Sequence, residues 1–167
     1  AGGCEVCLAA SRIQAAAETY MGLVEVGVGL IPAGGGTKEM VLRSQERLPE
    51  GAEADLFPLL RVAFETIALA KVSTSAEDAR RLGFLRPTDG TSMNPDHLLY
   101  DAKEAVLDMV RSGYRPPLPG KVRVVGERGR AAILSYLYNM RVGGYITEYE
   151  EHIGRKLAYV MSGGDVP

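Results

Sequence analysis

Along this chain apolar positions recur again and again with a helical period, and almost nowhere with the two-residue period of a strand. Leu56, Leu59, Leu60, Ala63, Phe64 and Ile67 follow the 3.6-residue repeat of an amphipathic helix. Pro58 sits in its first turn, where a missing N–H costs little. Leu98, Leu99, Ala102, Ala105, Val106, Met109 and Val110 form a second apolar face, on a helix that starts near Asp96 and stops at Gly113. "STSAEDARRLGFL" predicts a cap at Ser75, a short helix, and Gly83 as its stop. Two further helices are predicted from about Arg128 to Met140 and from Thr147 to Met161, separated by Gly143 and Gly144.

The opening is different in character. The first 36 residues are rich in Gly and Ala. Val6–Ala10 read as a short helix whose N-terminus is the Gly2-Gly3 pair, and Arg12–Ala16 and Glu18–Leu23 as short strands. "GVGLIPAGGG" (Gly27–Gly36) reads as a loop, and Thr37 as the cap of a helix reaching about Leu48. "PEGAEAD" is a connection, "YRPPLPG" a stiff extended segment, and "KVRVV" a candidate strand. The expected class is mainly α with a few short β-strands. Two short strands do not make an independently stable sheet, so the pattern suits the later portion of something larger.

Composition narrows the function classes. A length of 167 residues fits one domain. The formal net charge of −2, with basic residues scattered among acidic ones, gives no nucleic-acid footprint. No apolar run of roughly 18 residues suggests a membrane span. Two cysteines do not form a disulfide framework. A cytoplasmic location is expected.

Several patterns could carry chemistry. "CEVC" (Cys4–Cys7) has the spacing of a redox pair or half a zinc site, but there is no second Cys pair, His97 and His152 are distant in sequence, and a supporting βαβ pattern is missing. Small buried residues in the first turns of a helix is the favoured reading. Gly27-Val28-Gly29 lacks the third glycine of a dinucleotide fingerprint, and Gly36-Thr37-Lys38 has the wrong order for a P-loop. Three glycines before a helix still offer backbone N–H groups to an anion, although a tight turn under close packing explains them too. Glu5 in a first helical turn suits the helix dipole as a simple stabilising charge. Glu25, between apolar residues and glycines, is expected to be partly buried; burial would suit it to acid/base work, or leave it a satisfied core group. Tyr136, Tyr138, Tyr145, Tyr149 and Tyr159 read as packing or interface residues, and His97 as an exposed first-turn residue.

"GGCEV" and "GLVEVGVGLIPAGGGTKEM", with the spacing between Glu5 and Glu25, resemble the enoyl-CoA hydratase/isomerase (crotonase) family. "ETIALAKVSTSAEDARRLGFL" is similar to a helix-and-turn stretch of the same family. The match covers about residues 1 to 86. "GRAAILSYLYNMRVGGYITEYEEHIGRKLAYVMSGG" is similar instead to the C-terminal part of bacterial multidomain 3-hydroxyacyl-CoA dehydrogenases of β-oxidation. The resemblance implies residues 1–94 as the C-terminal half of a crotonase-like α/β core, incomplete in this chain. Residues 95–167 would be a helical extension for packing or oligomerisation.

It further implies Gly2 as one of two backbone donors of an oxyanion hole, and Glu5 and Glu25 as the carboxylates that activate a water, with their division of roles open. Oxyanion donors must face the thioester oxygen where enolate charge develops. Acyl-CoA is the implied substrate. No cofactor is expected in this chain, and NAD would belong to a dehydrogenase part outside it. An intramolecular dehydrogenase domain and a second copy of the chain are the implied partners. The chain is expected to begin inside such a domain, at the second oxyanion glycine, and to be inactive alone.

Two competing readings stand beside this one. The helices after Asp96 could serve as a docking or oligomerisation module without catalysis of their own. A dehydrogenase binding NAD within this chain is disfavoured by the missing glycine pattern.

Overall fold

The computed structural model describes the chain except for residues 47, 50–51, 119–121 and 167. The elements run α1 (Gly2–Leu8), β1 (Gln14–Ala16), a 3-10 turn (Glu25–Val28), α2 (Gly36–Gln45), α3 (Phe57–Ala68), α4 (Ala76–Arg81) and β2 (Gly90–Ser92). A second 3-10 turn (Pro95–His97) then leads into α5 (Leu98–Arg111), α6 (Gly126–Val142) and α7 (Glu148–Met161). The protein is mainly helical, with one small sheet.

The core is built where the helical repeat predicts it. Leu60, Ala63, Phe64 and Ile67 of α3 are buried. They meet Leu157, Ala158 and Met161 of α7, Met40 and Val41 of α2, and Leu8 of α1. Helices α6 and α7 pack closely because Gly154 has no side chain: a Cβ there would stand 2.8 Å from Leu137 Cδ2. Local signals set the ends of α4 and α7. Ser75 accepts from the Asp78 amide, and Thr147 forms a reciprocal capping box with Glu150.

Strands β1 and β2 pair in parallel, Gln14 opposite Gly90 and Ala16 opposite Ser92. Asp89 pins this pairing from the buried side. Its carboxylate accepts from the Ile13 amide at 2.9 Å and the Arg86 amide at 2.7 Å. Arg43, also buried, donates to the carbonyls of Leu8 at 2.8 Å and Phe84 at 3.2 Å, tying α1 to the segment after α4.

Some sequence expectations do not hold. The strand expected over Arg12–Ala16 shrinks to Gln14–Ala16, and Glu18–Leu23 is not a strand. Among the described residues its strand-like pairing is limited to the short link between α3 and α4, through a single antiparallel bridge of Gly22 with Val72 and the bonds of Ser73 to Thr19 and Met21. The link is too short to serve as a partner strand. Thr37 caps nothing. It lies buried inside α2, whose N-cap is Gly35 at a φ of 107°, a left-handed value that glycine adopts without strain. Residues 122–125 have no regular structure, and Lys121, the start of the expected "KVRVV" strand, lies outside the described residues. Parts of "PEGAEAD" and "YRPPLPG" also fall outside them.

The apolar face of α5 behaves unlike the others. The repeat is present, yet no residue of α5 is buried. Leu99 is 83% exposed, Val110 69% and Val106 59%. The rest of the predicted face, Leu98, Ala102, Ala105 and Met109, is half-buried, as is Asp101, which accepts from the Ser92 hydroxyl of the sheet.

Candidate functional site

Glu5 stands in the first turn of α1 and is only 8% exposed. Its Oε1 accepts two backbone bonds, from the amides of Gly34 at 2.8 Å and Gly36 at 2.9 Å. Gly36 is the first residue of α2, so the carboxylate closes the positive end of that helix. The Gly34-Gly35-Gly36 run is therefore both things the sequence allowed: a tight turn and an anion cradle, the anion being an internal one. Sterics explain two of the glycines. A Cβ on Gly34 would lie 2.6 Å from Glu5 Oε2, and one on Gly36 2.7 Å from Leu23 Cδ2. The left-handed φ explains Gly35. Glu5 Oε2 stands outside the pair of bonds that fixes Oε1.

Glu25 opens the 3-10 turn and is partly buried, its side chain 17% exposed. Its Oε1 lies 3.3 Å from the Ala1 nitrogen, which also donates to the Gly22 carbonyl at 2.5 Å. Its Oε2 is shielded from solvent and has no hydrogen-bond partner among the described residues. A buried carboxylate oxygen without a donor is uncommon, because desolvation is then uncompensated.

Gly2 is the first residue of α1 and is exposed. The helical ladder begins with the Cys4 and Glu5 amides on the Ala1 carbonyl, so the Gly2 and Gly3 amides lie outside it. A methyl group on Gly2 would meet nothing within 4 Å, so nothing in this chain demands a glycine there. Cys4 packs between α1 and Gly22, and burial pushes its thiol up to about 11. Cys7 is exposed, which corrects the reading of both cysteines as buried. Both thiols are free. Among the described residues no group of three or more His, Cys, Asp or Glu side chains is placed to hold a metal ion. None of the helices described there is long and apolar enough to cross a membrane.

α1 and the turn around Glu25 thus bring Gly2, Glu5 and Glu25 to segments that touch through Ala1, Cys4 and Gly22. A wide groove lies elsewhere, between α2, α3 and α4, lined by Met40, Arg43, Leu59, Val62, Leu82 and Arg86. Neither glutamate lines it. Sequence reasoning missed two features. One is the bond between Glu5 and the glycine run, although an acid and a glycine run were both in view. The other is Tyr149 on the Glu25 turn, for which a span of 120 residues leaves no local signal. The five late tyrosines are all substantially exposed, so packing does not account for them as a group.

No family model matches the chain. The chain is 51% identical over 166 residues, 99% of its length, to a Bacillus subtilis (strain 168) protein assigned as a 3-hydroxyacyl-CoA dehydrogenase. It spans 20% of that relative's length. Over 44 residues, 26% of the chain, it is 57% identical to a Rickettsia felis protein assigned as a fatty acid oxidation complex trifunctional enzyme, of which the match covers 6%.

Proposed function

We propose that this chain supplies part of the hydration site of a fatty-acid β-oxidation protein, one that adds water across the 2,3 double bond of an enoyl-CoA. In this reading residues 1–94 are the C-terminal half of a crotonase-like core, residues 95–167 a helical extension, and the location cytoplasmic. Two things support the β-oxidation setting: the resemblance of the two glutamate-bearing segments, and the assigned activities of the relatives. The observation that carries the hydration step is the unequal treatment of two carboxylates. Glu5 is held rigidly through one oxygen by two amides, whereas Glu25 keeps a shielded oxygen without a donor.

Hydration needs both kinds of group. Glu5 takes a proton from the water whose oxygen bonds to C3. Glu25 delivers a proton to C2, and the roles of the two can exchange. As the C3–O bond forms, the π electrons move toward the thioester oxygen. The Gly2 amide, free of the helical ladder, stabilises that developing charge together with a second donor supplied from outside this chain. Simple double-bond isomerisation can proceed with one carboxylate, so a working pair favours hydration. A 3-hydroxyacyl-CoA dehydrogenase activity, with NAD, would then reside in another part of the full-length protein.

The test is Glu25→Gln in the full-length protein. Hydration of a short enoyl-CoA should fall by about 10²- to 10⁴-fold, the usual worth of a positioned acid/base group, with the thermal midpoint near that of the parent. Retained hydration would remove Glu25 from the mechanism.

A second reading is favoured by the exposed apolar face of α5, with Leu99, Val106 and Val110 uncovered. In it, the helices after Asp96 dock onto a dehydrogenase domain or a second subunit. Gel filtration of the chain decides: a clean monomer at all concentrations counts against it.

A further inference from the structure

The turn that carries Glu25 is seated in the core only near its start. Val26 packs against the core, whereas Val28 and, just beyond the turn, Leu30 are largely exposed. The Glu25 carboxylate is held through one oxygen alone: Oε1 lies 3.3 Å from the Ala1 nitrogen, while Oε2 has no donor among the described residues. The backbone of the turn therefore shares in setting where this side chain projects. That backbone closes on itself, because the Leu30 amide donates to the Glu25 carbonyl at 3.1 Å. It ends at Gly29, which has a φ of 84°.

One contact from a distant element grips the turn at this point. The Tyr149 hydroxyl donates to the Gly29 carbonyl at 3.3 Å. Its ring also lies over the glycine: a Cβ at Gly29 would stand 3.2 Å from Tyr149 Cε1 and 3.5 Å from its hydroxyl. Tyr149 is 62% exposed, but the helix that carries it is fixed. The tyrosine sits in the first turn of α7, next to the Thr147–Glu150 capping box, and stacks on His152 with the rings 10° from parallel. Two turns on, Leu157 anchors the helix in the core. Helix α7 thus reaches the exposed end of the turn through one side chain.

We infer that Tyr149 is a positioning residue for Glu25, acting through Gly29 to fix the turn from which the carboxylate projects. The inference rests on the hydration reading above, and it gives the C-terminal helices a part in the reaction. Displacing a reacting group by about an ångström costs up to about a hundredfold in rate, so even modest slack in this turn is visible in turnover.

The experiment compares Tyr149→Ala, Tyr149→Phe, Glu25→Gln and the control Tyr136→Ala in the full-length protein, with hydration of a short enoyl-CoA and thermal midpoints as readouts. Tyr149→Ala should lower kcat about tenfold with KM within about twofold, the signature of a loss felt at the chemical step and not in substrate binding. Tyr149→Phe keeps the ring on Gly29 and should restore most of kcat. Tyr136→Ala, on the exposed side of α6, should leave kcat unchanged. If Tyr149→Ala fails to fold, Tyr149→Leu is read the same way. An unchanged kcat in Tyr149→Ala, with Glu25→Gln inactive, overturns the inference and leaves the hydration reading intact. So does an equal loss in Tyr136→Ala. Full hydration by Glu25→Gln overturns the reading itself, and the inference with it.

Discussion

The amide of Gly36 donates to Glu5 Oε1 at 2.9 Å across 31 residues of sequence. This bond joins the start of α2 to the first turn of α1, and the Gly34 amide doubles it. Helix end and carboxylate satisfy each other, so the position of Glu5 is set by the loop, not by its own rotamer preference.

A side chain at Gly36 would break that arrangement. Gly36→Ala puts a Cβ 2.7 Å from Leu23 Cδ2 and 3.0 Å from Glu5 Oε1, and Leu23 is completely buried. The expected cost is about 1–3 kcal/mol, typical of overpacking a filled site. Urea denaturation measures it. A midpoint equal to that of the parent would mean that the loop yields freely and that Glu5 is less firmly seated than its bonds indicate.

Acid should loosen α7 from its N-terminal end. The Thr147 amide and hydroxyl hold the Glu150 carboxyl below its ordinary range. A depressed folded value means that the contribution is present above the unfolded carboxylate value of 4.5 and fades as pH falls through the lower folded value. Thr147→Ala should cost about 1 kcal/mol near neutrality through the lost cap. Glu150→Gln, which keeps an acceptor but cannot titrate, should flatten the acid limb of stability against pH. Thermal midpoints from neutral pH down to acid, for parent and variants, test both; parallel curves would separate Glu150 from the cap.

The two thiols should react very differently. Cys7 is exposed, while burial holds the Cys4 thiol near 11 and therefore protonated at mildly alkaline pH. Iodoacetamide at pH 8 should modify Cys7 in the folded protein and reach Cys4 only after denaturant is added. Peptide mass spectrometry reads the order directly, and equal labelling of both would show that α1 opens readily.

Where signals are local, the sequence was a good guide. Ser75 and Thr147 mark helix starts through their own side chains, and Leu60, Phe64 and Ile67 mark a buried face through their spacing. The limits are physical. Period tells which face of a helix is apolar but not whether this chain covers it; the buried stripe of α3 and the exposed one of α5 look alike in sequence. Apolar residues at 18–23 suggested a strand, but a strand needs a partner of similar length, and the link at 71–73 offers one bridge. In the candidate site, Glu5, Glu25 and the glycine run were visible as residues. What joins Glu5 to Gly34 and Gly36, or Tyr149 to Gly29, is long-range and leaves no trace in spacing.

A helix of seven residues such as α1 does not hold itself together in water. α1 stands because α2 and the turn before it grip it, the Gly34 and Gly36 amides on Glu5 and Arg43 on the Leu8 carbonyl. Order in α1 therefore arrives with α2, in a single cooperative event. The Gly2 amide and the Glu5 carboxylate take up fixed positions only at that moment, so a partly folded form of this region holds neither in place.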